Sequence, residues 1–130
     1  MKKVSVIVPV YNVESYLERC LNSLVKQTID DIEIIVINDG STDDSQRIID
    51  FFEDKYPDKV IGIKIKNSGV AHARNIGLKQ ATGEFIGFVD SDDYVDVNMF
   101  EELYQKAKEE TADIVVSGYT RIYAASSKDF

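Results

Sequence analysis

The feature that most limits what this chain can fold into is a repeated switch of hydrophobic period. Val4 to Val10 is an apolar, β-branched run closed by Pro9 and Asn12, which reads as a buried strand. From Glu14 the spacing becomes three and four, through Leu17, Cys20, Leu21, Leu24 and Val25, and marks an amphipathic helix. Ile32 to Ile37 is a second strand-like run, stopped by Asn38-Asp39-Gly40. That Asp-Gly pair would suit a hairpin, but the residues after it have a helical pattern. Ser41 and Thr42 are N-cap residues, Asp43 and Asp44 favour a first turn, and Ile48, Ile49 and Phe52 continue at helical spacing. Val60 to Ile65 predicts a third strand. Ser68 to Gln80 predicts a helix rich in small residues, closed by Gly83 as a C′ residue. Phe85 to Val89 predicts a fourth strand, then Phe100, Leu103, Tyr104 and Ala107 a helix, and Ile114 to Val116 a fifth strand. Tyr119 to Phe130 shows no clear period and is left unassigned.

Strands alternating with helices over short connections are the signature of right-handed βαβ units. The expected fold is therefore α/β: three αβα layers around a mostly parallel sheet. At 130 residues, with no linker, repeat or low-complexity segment, the chain reads as one domain, 1–130, with 120–130 as an unassigned tail. In such sheets ligands bind outside the carboxyl ends of the strands. Tyr11-Asn12, Asn38-Asp39-Gly40-Ser41 and Asp90-Ser91-Asp92-Asp93 all come directly after strands, so all should open on that one edge.

Charge narrows the partners. A net charge of −8 argues against nucleic acid, which is bound by clustered Lys and Arg. An acidic protein that takes a phosphorylated ligand needs a cation to do so. The single cysteine, Cys20, excludes an internal disulfide and a thiolate metal site, and its helical neighbours make it a buried, inert thiol. No apolar run approaches the roughly 20 residues of a membrane span, and Met1-Lys2-Lys3 leads straight into a strand pattern rather than a signal peptide. The expected location is cytoplasmic.

The strongest chemical signal is Asp90-Ser91-Asp92-Asp93. Three carboxylates this close repel one another, and a hard divalent cation relieves the repulsion while keeping sites free for substrate phosphate oxygens. One of the three also suits a helix cap. Asp39 suits a turn before Gly40 and equally an acceptor of hydrogen bonds from a base or ribose, and both roles can hold together. Tyr11 fits core packing or base stacking equally well. Asn67-Ser68-Gly69 opens a helix, whose N-terminus attracts phosphate, and Arg74 within it suits a pyrophosphate or a carboxylate partner. His72 carries no partner pattern and is given no role. Neither G-x-G-x-x-G nor G-x-x-x-x-G-K-[ST] occurs, so a dinucleotide fold and a P-loop both lose support.

Four blocks then resemble, in order, the motifs of the inverting family-2 glycosyltransferases of GT-A fold. They are Ser5 to Asn12 with Glu14, Asn38 to Asp43, Asn67-Ser68-Gly69 with Ala73-Arg74-Asn75, and Asp90 to Asp93. The resemblance implies a nucleoside-diphosphate sugar as donor, UDP-linked by expectation, and Mg²⁺ or Mn²⁺ as cofactor in polysaccharide biosynthesis. It implies a substrate site of Pro9, Tyr11, Asn12, Glu14, Asp39, Asn67, Gly69, Arg74, Asp90, Ser91 and Asp92, with Asp90, Asp92 and Asp93 on the metal. In this family the catalytic base and the acceptor site come after the Asp-x-Asp loop. No such acidic motif is found here, so the base is expected in a missing C-terminal part, through which a glycan or lipid-linked acceptor would be bound. Peripheral membrane association of the full-length enzyme is a further expectation, as is apolar surface left around Ile114–Val116 and Tyr119–Tyr123, buried by self-association of the fragment or by a reorganised tail. Two alternatives are a non-catalytic nucleotide-sugar-binding module and a receiver-like signalling domain. The receiver needs an acidic pair after the first strand, where this chain has Pro9-Val10-Tyr11-Asn12.

Overall fold

The computed structural model describes residues 2–109, 114–117 and 120–124. Its elements run β1 (Val4–Val10), α1 (Glu14–Val25), β2 (Ile32–Asp39), α2 (Ser45–Lys55), β3 (Val60–Ile65), α3 (Val70–Gln80), β4 (Phe85–Phe88), α4 (Met99–Glu109), β5 (Ile114–Ser117) and β6 (Thr120–Ala124). They form one sheet of order β3-β2-β1-β4-β6-β5. β1 to β4 pair in parallel, and β6 runs antiparallel to both β4 and β5. β6 lies in the stretch that the sequence leaves unassigned. The apolar surface expected around Ile114–Val116 and Tyr119–Tyr123 falls outside the described side chains, as do residues 125–130.

Strand alternation decides the layers. Val4, Val6, Val8 and Val10 of β1 and Ile32, Ile34 and Val36 of β2 pack on one face with Leu17, Leu21 and Leu24 of α1, Ile49 and Phe52 of α2, and Phe100 of α4. Ile7, Ile35, Ile37 and Ile86 point the other way, onto Ala73 and Leu78 of α3. Every residue of β2 is buried, as in a strand covered on both sides. The expected αβα arrangement is present. Among the described residues no helix is long and apolar enough to cross a membrane.

Three helix boundaries differ from the sequence reading, each for a physical reason. α2 begins at Ser45, not near Ser41, because Ser41 to Asp44 are tied into the connection between β2 and α2. The Asp43 carboxylate accepts the Ser45 N–H at 2.9 Å, and the Ser41 hydroxyl accepts the Asn12 N–H at 3.0 Å. α3 begins at Val70 because Gly69 sits at φ 99°, outside the helical region.

The third correction concerns Gly83. α3 ends on Ala81 in an extended conformation, and Gly83 is not left-handed, so it closes no helix. It is glycine because the chain passes hard against β1: a Cβ there would lie 2.6 Å from the Ser5 backbone nitrogen. The contact locks a buried polar knot at the amino end of the sheet. The Ser5 hydroxyl accepts the Gly83 N–H at 2.7 Å and donates to Glu33 Oε2 at 2.5 Å. That carboxylate also accepts the Thr82 N–H and hydroxyl at 2.7 and 2.9 Å. Gly83→Ala should therefore destabilise the fold by about 1–3 kcal/mol, the usual range for overpacking. Thermal denaturation should show a lower Tm with an unchanged far-UV spectrum; an unshifted Tm would mean that β1 can yield at Ser5.

Candidate functional site

The carboxyl ends of β1, β2, β3 and β4 open into one cleft of about 490 Å³, lined by Pro9, Val10, Tyr11, Val13, Asp39, Asn67, Gly69, Val70, Asp90, Ser91 and Asp92. The expected ligand edge and most of the expected site residues thus coincide. Tyr11 is 51 % exposed, so its ring belongs to the cleft and not to the core.

Asp39 is 4 % exposed at the end of β2. Its Oδ1 accepts the Ser68 N–H at 2.7 Å and its Oδ2 the Gly69 N–H at 3.0 Å, while its carbonyl accepts from Asn67 Nδ2 at 3.0 Å. One aspartate thereby fixes the whole turn into α3. Gly40 fits under that turn: its φ is +74°, and a Cβ there would lie 2.7 Å from the Asn67 nitrogen. Gly69, at φ +99°, lets the chain enter α3 with no side chain over the helix N-terminus, which faces the cleft as a donor-rich, anion-attracting end.

Asn12 and Glu14 do not line the cleft. Asn12, in the left-handed region at φ 50°, accepts the Thr42 and Asp43 N–H groups on its Oδ1 at 2.8 and 3.3 Å. Glu14 accepts the Asp44 N–H at 3.1 Å and gives its own N–H to Asp43 at 3.1 Å. Burial raises the Asp43 carboxyl, but hydrogen bonds from Ser45 and Glu14 outweigh it and hold the group below the usual carboxylate range. These side chains join the first two βα loops to each other.

In the acidic loop, Asp90, Asp92 and Asp93 each offer an oxygen within 4.8 Å of the others, a spread that one cation can span. Burial raises the Asp93 carboxyl above its ordinary value, Asp92 and Asp90 raise it further, and Arg19 acts in the opposite direction. Ser91, between them, is buried. Arg74 reaches from α3 to Asp90, Nη2 to Oδ1 at 3.5 Å, and its Nε is enclosed without a hydrogen-bond partner. The guanidinium therefore has a donor still to satisfy.

Cys20 is fully buried, its thiol 3.7 Å from the Asp90 carbonyl. Burial, reinforced by Asp93, Asp92 and Asp90, pushes it up to about 12, so it stays protonated and inert as expected. His72 is exposed on α3 and away from the cleft lining. The sequence reading passed over Val13 and Val70, apolar residues beside helix starts that line the cleft. It also passed over Arg19, whose guanidinium carbon lies 4.4 Å from the Tyr94 ring centre just past the acidic loop.

Fold and site together define an α/β ligand-binding domain whose cleft combines an exposed tyrosine, an uncapped helix N-terminus and a cation-sized acidic cluster. Residues 5–129 match glycosyl transferase family 2. Glycosyltransferase GlyA of Streptococcus pneumoniae serotype 4 is 47 % identical over 117 residues, covering 90 % of this chain and 17 % of GlyA. The uncharacterized glycosyltransferase EpsJ of Bacillus subtilis is 47 % identical over 116 residues, covering 89 % of this chain and 33 % of EpsJ. Among solved structures, TarS 1–349 of S. aureus in complex with UDP superposes with a TM-score of 0.85 at 30 % identity, covering 95 % of this chain and 47 % of that one. The same TarS segment is also solved with UDP-GlcNAc. This chain belongs to glycosyl transferase family 2. It spans between a sixth and a third of the length of the two curated relatives.

Proposed function

We propose that the chain is the donor-binding part of an inverting glycosyltransferase that takes a nucleoside-diphosphate sugar, most simply a UDP-sugar, and delivers the sugar to an acceptor hydroxyl. The observation that carries this reading is the convergence of Tyr11, Asp39, Gly69, Asp90 and Asp92 on one cleft. TarS, with UDP and UDP-GlcNAc in its structures, supports the choice of nucleotide.

In this reading the Tyr11 ring stacks on the base. Asp39, whose two oxygens each accept one backbone N–H, has acceptor capacity left for a base N–H, since an ionised carboxylate offers about four lone-pair sites. The diphosphate lies toward the N-terminus of α3, with Arg74 as a cationic partner. Asp90, Asp92 and Asp93 hold Mg²⁺ or Mn²⁺; hard oxygen donors with so small a spread suit either. When bound, that ion offsets the charge gathering on the departing diphosphate. The site for the acceptor, a glycan or lipid-linked hydroxyl, and the carboxylate base that takes its proton belong to the remainder of the full-length protein. That protein acts in polysaccharide biosynthesis, in the cytoplasm, peripherally at the membrane where its acceptor is lipid-linked.

Tyr11→Ala should weaken UDP binding by about 1–3 kcal/mol, the worth of one base stacked on an aromatic ring. Calorimetric titration with UDP reads this as a roughly fivefold to hundredfold rise in Kd. An unchanged Kd would remove Tyr11 from the base site. Parallel titrations with GDP and ADP test the nucleoside: equal affinity for all three would overturn the uridine assignment.

A further inference from the structure

The segment carrying the three carboxylates has no ladder of its own. Between Phe88 and Met99 the backbone belongs to no strand or helix, so its N–H and C=O groups need partners from elsewhere. Some are met locally, the Asp93 N–H on the Asp90 carbonyl at 3.0 Å and the Met99 N–H on the Asp96 carbonyl at 3.2 Å, and the Val89 N–H bonds the Ile7 carbonyl at 3.1 Å; α1 and the turn after it supply most of the rest. Arg19 Nη2 donates to the Asp92 carbonyl at 3.4 Å, and the Cys20 thiol to the Asp90 carbonyl at 3.7 Å. A turn later the Ser23 hydroxyl accepts the Val95 N–H at 3.2 Å while donating to the Cys20 carbonyl at 2.6 Å. A further turn along, Gln27 Nε2 donates to the Asp96 carbonyl at 2.6 Å, and its Oε1 accepts the Phe100 N–H at 3.1 Å. The Thr28 N–H completes the series on the Val97 carbonyl at 2.7 Å. Spacing by three puts positions 20 and 23 on one side of α1, Gln27 and Thr28 lie in the turn just past its last residue, Val25, and together they meet the segment from the metal loop to the start of α4.

Gln27 is the informative member. It is 5 % exposed, two residues past the end of a helix whose buried residues are Leu17, Cys20, Leu21, Leu24 and Val25. A buried amide costs stability unless every group is bonded, and a leucine there would pack with no such requirement. Here every group is bonded, since the second Nε2 hydrogen goes to the Ser23 carbonyl at 2.9 Å. The amide's particular contribution is to fix the register of the irregular segment against α1.

We propose that Ser23 and Gln27 are positioning residues for the metal site: by fixing the 90–100 segment on α1, they hold the Asp90, Asp92 and Asp93 oxygens close enough to share one cation. The proposal rests on the reading that these carboxylates hold a divalent ion. Val89 and Phe100 are both buried in the main core, so the segment's ends stay anchored without the ladder. What relaxes is the spacing of three mutually repelling charges between those ends.

The test titrates Mn²⁺ into UDP-saturated protein and, separately, UDP into metal-free protein, by calorimetry with a Tm for each variant. Ser23→Ala and Gln27→Met should each weaken Mn²⁺ binding by about 10–100-fold, the usual cost of losing a group that orients metal ligands. Metal-free UDP affinity should stay unchanged. Ser23→Thr, which keeps the hydroxyl, should restore Mn²⁺ affinity, a rescue that general loosening of the fold would not give. Should Gln27→Met fail to fold, the Ser23 pair decides. Unchanged Mn²⁺ affinity in Ser23→Ala, beside an Asp92→Asn control that loses it, would overturn the positioning role. So would an equal loss of metal-free UDP binding. An Asp92→Asn control that keeps Mn²⁺ would instead overturn the cation reading on which the proposal stands.

Discussion

Asp92→Asn should abolish the metal-dependent part of UDP binding, with apparent Mn²⁺ affinity falling by at least about 100-fold, the upper end of what loss of a mere supporting group costs. The variant is informative because two of its effects have opposite signs. Asp90, Asp92 and Asp93 place oxygens within 4.8 Å of one another, and the Asp93 carboxyl is raised first by burial and then by repulsion from Asp92 and Asp90. Replacing one carboxylate by an amide of the same shape relieves that repulsion, so the metal-free protein should melt no lower than the parent. Loss of Mn²⁺ binding with an undiminished Tm separates a lost ligand from a damaged fold. The pH dependence has a definite direction too. A ligand must be deprotonated, and the raised Asp93 carboxyl begins to protonate at a higher pH than an ordinary aspartate. Mn²⁺ affinity should therefore be full near neutrality and fall as the pH drops through the carboxylate range, earlier than an ordinary aspartate would dictate. Calorimetry of the parent and variant at two pH values reads both effects. Undiminished Mn²⁺ dependence in Asp92→Asn would move the ion elsewhere.

The parts of this molecule that were legible in the sequence are those decided by neighbours along the chain. Val4–Val10 and Val60–Ile65 are runs with no helical reading, and both strands have those bounds. Where distant residues decide, the sequence misleads. A glycine shortly after a helix looks like a left-handed C′ residue whatever its cause, and only the approach of Ser5, 78 positions away, shows why Gly83 is there. Asp39 looks like a free acid at a strand end, yet the Ser68 and Gly69 N–H groups, 29 and 30 positions on, take both oxygens. Asn12 and Glu14, which the family resemblance places on the substrate, bond instead to the loop before α2. They shape the cleft by joining two loops that line or flank it. β6, Thr120–Ala124, is too short to show a period and is defined by its antiparallel pairing with β4 and β5. The ladder of Ser23 and Gln27 left one sequence signal, a polar residue at the apolar spacing of α1, which reads as a helix end until its partners are seen.

The 130-residue chain alone should bind donor and yet transfer no sugar at a useful rate. A general base must reach the acceptor hydroxyl within about 2.6–3.2 Å and be free to take its proton. The acids in and beside the cleft are otherwise engaged. Asp39 accepts the Ser68 and Gly69 N–H groups on its two carboxylate oxygens. Glu14 and Asp43 bond into the loop junction, and Asp90, Asp92 and Asp93 are the cation's ligands in the proposed site. Loss of a base is worth about 10²–10⁴-fold in rate, and loss of acceptor positioning compounds it, because holding two reactants together accounts for several further powers of ten. The matched stretch is 17 % of GlyA and 33 % of EpsJ, which leaves ample chain in such proteins for both missing functions. The measurement is UDP release from a panel of UDP-sugars and candidate acceptors, with sedimentation run beside it to find whether the fragment self-associates. The expected outcome is release no faster with acceptor than without, in a sample that still binds UDP. Robust, acceptor-dependent turnover by a monodisperse monomer would overturn this, and would require one of Asp39, Asp93, Asp96 or Glu14 to act as the base.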